Sequence, residues 1–566
     1  MFRVLCCLAV VVLGFSGCWK KPLKIDVSSG RISKNRVGIS DSEFYWHNDV
    51  RRRAELFSLE LKGVNLLENL RETKSLSRLK EFRSFHRIGH LCVRTIARAY
   101  SGTSIADFWV FVTFGHSGDS RPTFERERLS ISVTGGNVIL LDSPATGGLP
   151  VAHGQGLPIK HFRFNCTSGL QESTELFADL DAAKRSSLLP FFTELPRPPW
   201  WIRDPDLACA KIAADENRHY PPFEQSKYVP AFPGMSGKQQ QFGVYMLLPE
   251  LTSNGYRLGS WRSQLYQEGC RPCHFLHPDG SRVTEDDYPE TVLTSSGWIH
   301  ERSRGSYWIK HTHPSSHWKD KGARTSSGTA WSFYDAQHWA VNALCQATFY
   351  DDPGLDMLVE DLAEGWLWAN PVTDCGTTHH TVPKSARARG RVLESGCSIA
   401  FALEGDVRER VTARVEALLQ IQIDEFKRCI AANESPLVSR KDGLSVWEHG
   451  LWVKGLFATL NLLPHRRDEI HAMGSVVCDW ILDGFKDFGG RWYVPYVIQP
   501  NGSWTGSACK ELSTWCLPAI QLIDRFDRPR LSVARGRKIT EILDQFANDP
   551  APPKLGWPDL SKWWLF

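Results

Sequence analysis

No apolar run after the N-terminus of this chain is long enough to cross a bilayer. The first, Val4 to Phe15, has 12 residues where a spanning helix needs about 20. Charge of one sign is missing too. With 67 Lys and Arg against 63 Asp and Glu, the net charge is +4 and the pI about 8.3, which gives no argument for nucleic acid as a partner. Only one C-x-x-C is present, Cys270 and Cys273 in G-C-R-P-C-H, so no second pair completes a four-thiolate zinc site. No metal and no cofactor are therefore expected. Methionine is scarce, at 5, whereas tryptophan is abundant, at 22. Trp200, Trp201, Trp298, Trp308, Trp318 and Trp504 fall in predicted loops, where an indole offers a flat apolar face to a sugar ring, a base or a protein partner.

The N-terminus has an order of its own. Arg3 is a positive start, the short apolar run follows, and F-S-G-C ends at Cys18. This resembles the lipobox of bacterial lipoproteins, with Phe15 where the family prefers Leu. The resemblance implies a signal peptide over 1–17, acylation of Cys18, export, and lipid anchoring in the envelope. Trp19 follows Cys18, so nothing here resembles the usual inner-membrane retention signal, and the outer membrane is the expected site. Removing Cys6 and Cys7 with the leader and reserving Cys18 for lipid leaves 12 of the 15 cysteines, an even number that permits disulfides. Those in predicted helices (Cys345, Cys397, Cys429, Cys478, Cys509, Cys516) read by default as small buried apolar residues.

Between 24 and 166 the pattern favours strands. Ala106 to His116, Phe124 to Val133, Gly136 to Asp142 and Pro158 to Asn165 are β-rich runs bounded by Gly and Pro, which predicts an antiparallel β-sandwich. Only Ser75 to Phe82 offers a helix-sized alternative. A linker over 167–217 carries a helix near Glu172 to Leu189 and a stiff Pro-rich piece. Residues 218–330 form a loop-rich approach, in which H-F-L-H-P-D-G-S-R-V-T predicts a hairpin turning at Asp279-Gly280.

From 331 to 547 the period changes to that of helices. Residues 331–350 are apolar nearly all round, with one polar line at Asp335, His338, Asn342 and Cys345. The D-D-P-G break predicts a second, amphipathic helix from Gly354 to about Trp368, placed on an outer layer. Three more pairs follow, with first members near 386–404, 443–463 and 506–522 and amphipathic partners near 407–430, 466–487 and 530–547. Val407, Val411, Val415, Leu418, Leu419 and Phe426 make one apolar stripe. Buried helices alternating with half-buried ones predict helical hairpins in inner and outer layers. A Pro- and Trp-rich tail covers 548–566. The fold class expected is α+β multidomain, an N-terminal antiparallel β-sandwich followed by an α/α-toroid.

If the inner helices run the same way, their starts gather at one mouth. That assembles Asp335 and His338, Arg387 and Arg391, Glu448 and His449, and Lys510 and Glu511. Two loops bring His311, His313 and His317 with Trp318, and Asp374 with His379 and His380. Two carboxylates could serve as acid and base for glycosidic hydrolysis. Arg or Lys with a His or Tyr base suits elimination from a uronate. Asp335 and Glu448 also fit capping spacing, His338 fits a core hydrogen bond, and the H-x-H-x-x-x-H loop fits a metal, a substrate or a structural role. Positive charge at 387–391 opposes the helix dipole and calls for an acidic ligand or a buried carboxylate such as Glu394.

A β-rich start, a linker and helical hairpins with an aromatic-rich mouth are similar to the six-hairpin, α/α-toroid glycosidases and polysaccharide lyases, in outline over 25–165 and 220–547. D-A-Q-H-W and W-E-H-G are similar to segments of bacterial toroid proteins. The resemblance implies a glycan ligand in a toroid cleft and carries over no residue role. The expected function is a surface-anchored glycoside hydrolase-like or lyase-like enzyme, with Glu448 as acid and Asp335 as base, or else a non-catalytic glycan-binding or envelope-structural lipoprotein.

Overall fold

A computed structural model describes residues 59–76, 79–100 and 105–115, shorter pieces between 123 and 172 and between 266 and 300, then 352–370, 372, 385–438, 443–499 and most of 502–548. Sheets occupy the N-terminal part and helices the C-terminal part.

The strands are β1 (Leu59–Leu61), β2 (Val64–Asn65), β3 (Arg71–Leu76), β4 (Leu79–Ile88), β5 (Leu91–Tyr100) and β6 (Ile105–Phe114), followed by β7 (Thr123–Phe124), β8 (Leu129–Val133) and β9 (Val138–Asp142). β10 (Val151–Ala152), β11 (Lys160–Asn165) and β12 (Gly169–Glu172) complete the set. One antiparallel sheet has the order β2-β1-β8-β9 and the larger one β12-β11-β6-β5-β4-β3. Leu59, Leu61, Leu129 and Ile131 of the first pack with Val93, Ala97, Phe108, Val110 and Phe162 of the second in one core. The expected runs near 106–116, 138–142 and 160–165 are strands. The described residues of the stretch from Ser75 to Phe82 are strand as well: Ser75 and Leu76 end β3, Leu79 to Phe82 begin β4, and Leu76 pairs with Leu79.

The larger sheet is buried on both faces, which the sequence pattern concealed. Its second face carries Arg94, Ile96, Arg98, Asp107, Trp109, Phe111, His161 and Arg163. Ile96, Trp109 and Phe111 belong to the core of the helical body. The polar members are paired: Arg98 with Glu81 at 2.8 Å, and Asp107 with His161 at 2.8 Å and Arg163 at 2.9 Å. The hairpin expected at Asp279-Gly280 lies against this sheet. Leu276 bridges Arg282, Gly280 has φ +90°, and a Cβ there would stand 2.5 Å from Phe85.

The helices are α1 (Pro353–Ala369), α2 (Ala386–Ala402), α3 (Gly405–Ala431), α4 (Val446–Leu462), α5 (Arg467–Gly484), α6 (Leu517–Leu522) and α7 (Val533–Asn548). Asp352 starts α1 by accepting from Gly354 N–H at 2.9 Å and Leu355 N–H at 3.3 Å, with Pro353 pre-set in the first turn. Helix α2 packs on α4 and α4 on α6. The amphipathic α3, α5 and α7 back this row, α3 on α2, α5 on α4 and α7 on α6. Val411, Val415, Leu418 and Leu419 bury the predicted stripe of α3.

Two expectations are corrected. Residues 354–368 are not an outer layer: Leu355, Leu358, Leu362, Ala363, Trp366 and Leu367 are all buried, because α1 is wedged between the larger sheet and the helical body. The helix expected over 506–522 is not continuous among the described residues: Cys509 lies outside any helix, and α6 starts at Leu517 with Pro518, which has no N–H, in its first turn. Among the described residues no helix is long and apolar enough to cross a membrane.

Helix α1 fastens sheet to helices through Asp361. Arg94 pairs with both oxygens of this carboxylate, His274 Nδ1 lies 2.6 Å away and Arg282 Nε donates at 2.8 Å. Burial raises the Asp361 pKa, but the charges of Arg94 and Arg282 and the hydrogen bonds from Arg94 and His274 overcome it and hold the group well below the ordinary range.

Candidate functional site

The site is built on α2 and α4, which run parallel. Arg387 meets Trp447, Arg389 meets Trp452 and Glu394 meets Lys454, so positions rise together along both helices. Glycine makes this approach possible. A Cβ on Gly390 would stand 2.0 Å from Leu451 O, and one on Gly455 would stand 2.1 Å from Gly390 O. The starts of both helices therefore lie at one end, although Arg391 and His449 are bonded inside the body there.

That end is lined by aromatics. Trp447 touches Trp515 edge-on at 5.2 Å and Tyr496 at 5.9 Å, while the Arg387 guanidinium lies 5.4 Å from its ring centre. The segment after α5 supplies the rim: β15 (Lys486–Asp487) pairs with β16 (Trp492–Tyr493), and β17 (Val497–Ile498) with β18 (Trp504–Thr505), where β13 (Val292–Leu293) and β14 (Ile299–His300) form another short pair earlier in the chain. Ile498 bridges Leu444, directly before α4, and is the cross-strand partner of Trp504. Tyr496 and Trp504 are each 43% exposed, whereas Trp447 is 4% exposed. Trp504 packs on Phe488, with Lys486 Nζ 6.0 Å from its ring centre.

Glu448 is buried in the first turn of α4, where a carboxylate complements the helix dipole. The capping box is incomplete: Ser445 makes no side-chain cap, and its buried Oγ has no partner among the described residues. His449 is fully buried. Its Nδ1 lies 2.8 Å from Ser445 O, and Val438 N–H donates to Nε2 at 3.2 Å. Both ring nitrogens thus serve backbone groups. Burial lowers the His449 pKa to about 4 against the pull of Ser445 O, and Arg389 adds to the lowering. His449 is a neutral structural link between the 438 loop and α4.

Arg391 is paired inside the body, donating to Glu394 at 3.0 Å, and Lys454 Nζ lies 2.7 Å from the other oxygen of Glu394. The charge expected to oppose the α2 dipole is therefore answered by Glu394. Burial raises Glu394, and Lys454 and Arg391 reverse the sign and lower it. Burial also lowers Lys454 to about 8, opposed by Glu394. Arg389, which reaches Glu425 at 2.8 Å, plays a similar part at the protein's outer layer.

Cys18, His311, His313, His317, Trp318, Asp335, His338, His379, His380, Lys510 and Glu511 lie outside the described residues. The chain matches no protein family, no curated protein and no solved structure. Among the described residues no group of three or more His, Cys, Asp or Glu could hold a metal ion; the cysteines among them are Cys92, Cys397, Cys429, Cys478, Cys509 and Cys516. Cys509 is half-buried outside any helix and the other five are buried, as small apolar residues would be.

Sequence reasoning missed Tyr496, the stacking role of Trp447 and the Lys454–Glu394 pair. A lone lysine in W-V-K-G-L-F-A-T-L could have signalled a buried partner. The Asp361 cluster gave no signal, since its members come from positions 94, 274, 282 and 361.

Proposed function

We propose that this protein is a surface-anchored carbohydrate-active protein whose helical hairpins form part of an α/α-toroid and bind a polysaccharide at the mouth where α2 and α4 begin. The observation that carries this reading is the pair of exposed aromatics, Tyr496 and Trp504, held on short strands beside the first turn that bears Glu448. Flat aromatic faces on a rigid rim suit the C–H faces of sugar rings, and a carboxylate on a helix rather than a loop is held in place for acid–base work. Hydrolysis needs a second carboxylate, for which Asp335 is the candidate. Anchoring through Cys18 follows from the lipobox resemblance and would place the mouth at the cell surface.

The burial of Glu448 and the full engagement of His449 favour a second reading, recognition without turnover. A panel of polysaccharides with product analysis decides between them. New reducing ends that disappear in Glu448→Gln, with ligand retention kept, support the hydrolase. Unsaturated ends absorbing in the ultraviolet indicate elimination. Retention with no product indicates a binding protein, and neither retention nor product on any glycan ends the carbohydrate reading.

A further inference from the structure

We infer that the β15–β16 hairpin, residues 486–492, is a strap that α7 latches, and that releasing it withdraws the support of the exposed Trp504. The inference concerns how the rim is held and stands whether or not the rim binds sugar. Buried Phe485 and Val494 fix the two ends of the strap, Val494 N–H donating to Ser513 Oγ at 2.8 Å. Between them Asp487, Gly489, Gly490 and Arg491 are exposed. The two glycines take φ +68° and +82°, and a Cβ on either would meet nothing within 4 Å. A pair of two-residue strands is at best marginal in water by itself, so the hold comes from outside the hairpin.

Helix α7 supplies it. Gln545 brackets the backbone of Trp492 as a neighbouring strand would, its Oε1 accepting from Trp492 N–H at 2.7 Å and its Nε2 donating to Trp492 O at 3.0 Å. One turn earlier, Glu541 accepts from Trp492 Nε1–H at 2.9 Å. Lys538 lies 4.7 Å from the centre of the same indole and donates to Phe485 O at 2.8 Å. Positions 538, 541 and 545 have the spacing that places side chains on one side of a helix. The strap in turn supports the rim: Phe488 meets Trp504 edge-on at 6.2 Å, and Lys486, tied to Asp483 O at 2.9 Å, stands 6.0 Å from the same ring.

Lys538 makes the latch respond to pH. Burial lowers its pKa from 10.5 to about 8, opposed by Asp483 of α5 and helped by Lys486 of the strap and Arg535 of α7, while Glu541 bonds the indole that Lys538 covers. Releasing the strap uncovers Lys538 and returns it towards the ordinary value. Between about pH 8 and 10.5 release therefore takes up a proton, so rising pH favours the latched form. Below about pH 8 both forms carry the charge, and pH has no effect through this group.

Pulsed hydrogen exchange on the full chain, read by peptide mass and normalised to intrinsic rates, tests the latch. In Gln545→Ala, peptides covering 486–493 should exchange roughly tenfold faster, the size of about one net hydrogen bond, while those covering α4 keep their rates. Arg537→Gln, a change at an exposed position of α7, should leave both alone. In the unmutated protein the protection of 486–493 should rise several-fold from about pH 7 to about pH 9.5, and in Lys538→Met it should stay level. Hydroxyl-radical footprinting should find Trp504 more reactive in Gln545→Ala, as Phe488 leaves its ring. Unchanged exchange of 486–493 in Gln545→Ala overturns the latch, and so does an equal acceleration in α4, which would mean loosening of the whole body. An unchanged footprint at Trp504 overturns the link to the rim. Protection that stays level with pH in the unmutated protein, or rises equally in Lys538→Met, overturns the pH response.

Discussion

His449 shows how a residue with the chemistry of a catalyst can be used up by the backbone. An imidazole with Ser445 O on one nitrogen and Val438 N–H on the other can take up a proton only by losing the second bond. Burial lowers its pKa from 6.5 to about 4 against the pull of Ser445 O, and Arg389 adds to the lowering. The unfolded chain therefore binds a proton below about pH 6.5 that the folded chain refuses until about pH 4. Stability is complete above 6.5 and declines as pH falls, by about 3 kcal/mol across the window at 1.36 kcal/mol per unit. His449→Gln keeps an acceptor for Val438 and removes the titration. Urea midpoints measured from pH 7 to 5, above the range where Asp361 and Glu394 protonate, should depend on pH less steeply in the variant, by close to one proton. An unchanged slope would mean that the imidazole is protonated in the folded protein.

At the scale of the element, helix contact decides the sign of a substitution that propensity alone would make favourable. Ala is a better helix former than Gly by about 1 kcal/mol. At Gly390 and Gly455, however, the added Cβ would strike backbone atoms at 2.0 and 2.1 Å, and backbone cannot rotate away as a side chain can. Each change to Ala should destabilise by about 1–3 kcal/mol or more, because α2 and α4 must separate. Gly536 in α7 has nothing within 4 Å of a built Cβ, so Gly536→Ala should stabilise by about 0.5–1 kcal/mol. Thermal and denaturant melts of the three variants check both signs. Loss of stability at Gly536 equal to that at Gly390 would defeat the close-packing explanation.

At the scale of the molecule, one hydrophobic core runs from Trp109 and Phe111 of the sheet through α1 into the helices, and Asp361 is its polar fastening. Asp361→Asn keeps the shape and removes the charge, leaving Arg94 and Arg282 without their shared counterion. Breaking a buried pair in this way costs about 3–5 kcal/mol. Since Arg94 belongs to the sheet and Asp361 to α1, calorimetry should show sheet and helices melting in separate steps in the variant. Lys427→Ala is the matched control: its ion pair with Glu469 is exposed, and pairs of that kind contribute about 0–1 kcal/mol. A single sharp transition at unchanged temperature in Asp361→Asn would show that the apolar contacts alone join the two parts.

Local rules were enough for the sequence to determine where most elements lie. Asp352 and Pro353 start α1, Ser385 caps α2 by accepting from Ala388 N–H, and the apolar stripe of α3 follows the helical period. Those signals act over a few residues, so they survive in the bare chain. The parallel approach of α2 and α4 was partly legible in the small residues of 386–404, because only such residues let backbones meet. Three things were decided by tertiary structure alone: the burial of α1, the second buried face of the larger sheet, and the partners of Arg94, Arg391 and Lys454. An amphipathic pattern states that one face is apolar but not what will cover the other. A charged residue on a strand looks solvated until a carboxylate 267 positions away is brought against it, as Asp361 is against Arg94. The free energy that makes such a burial tolerable comes from pairing and exists only once the chain has folded.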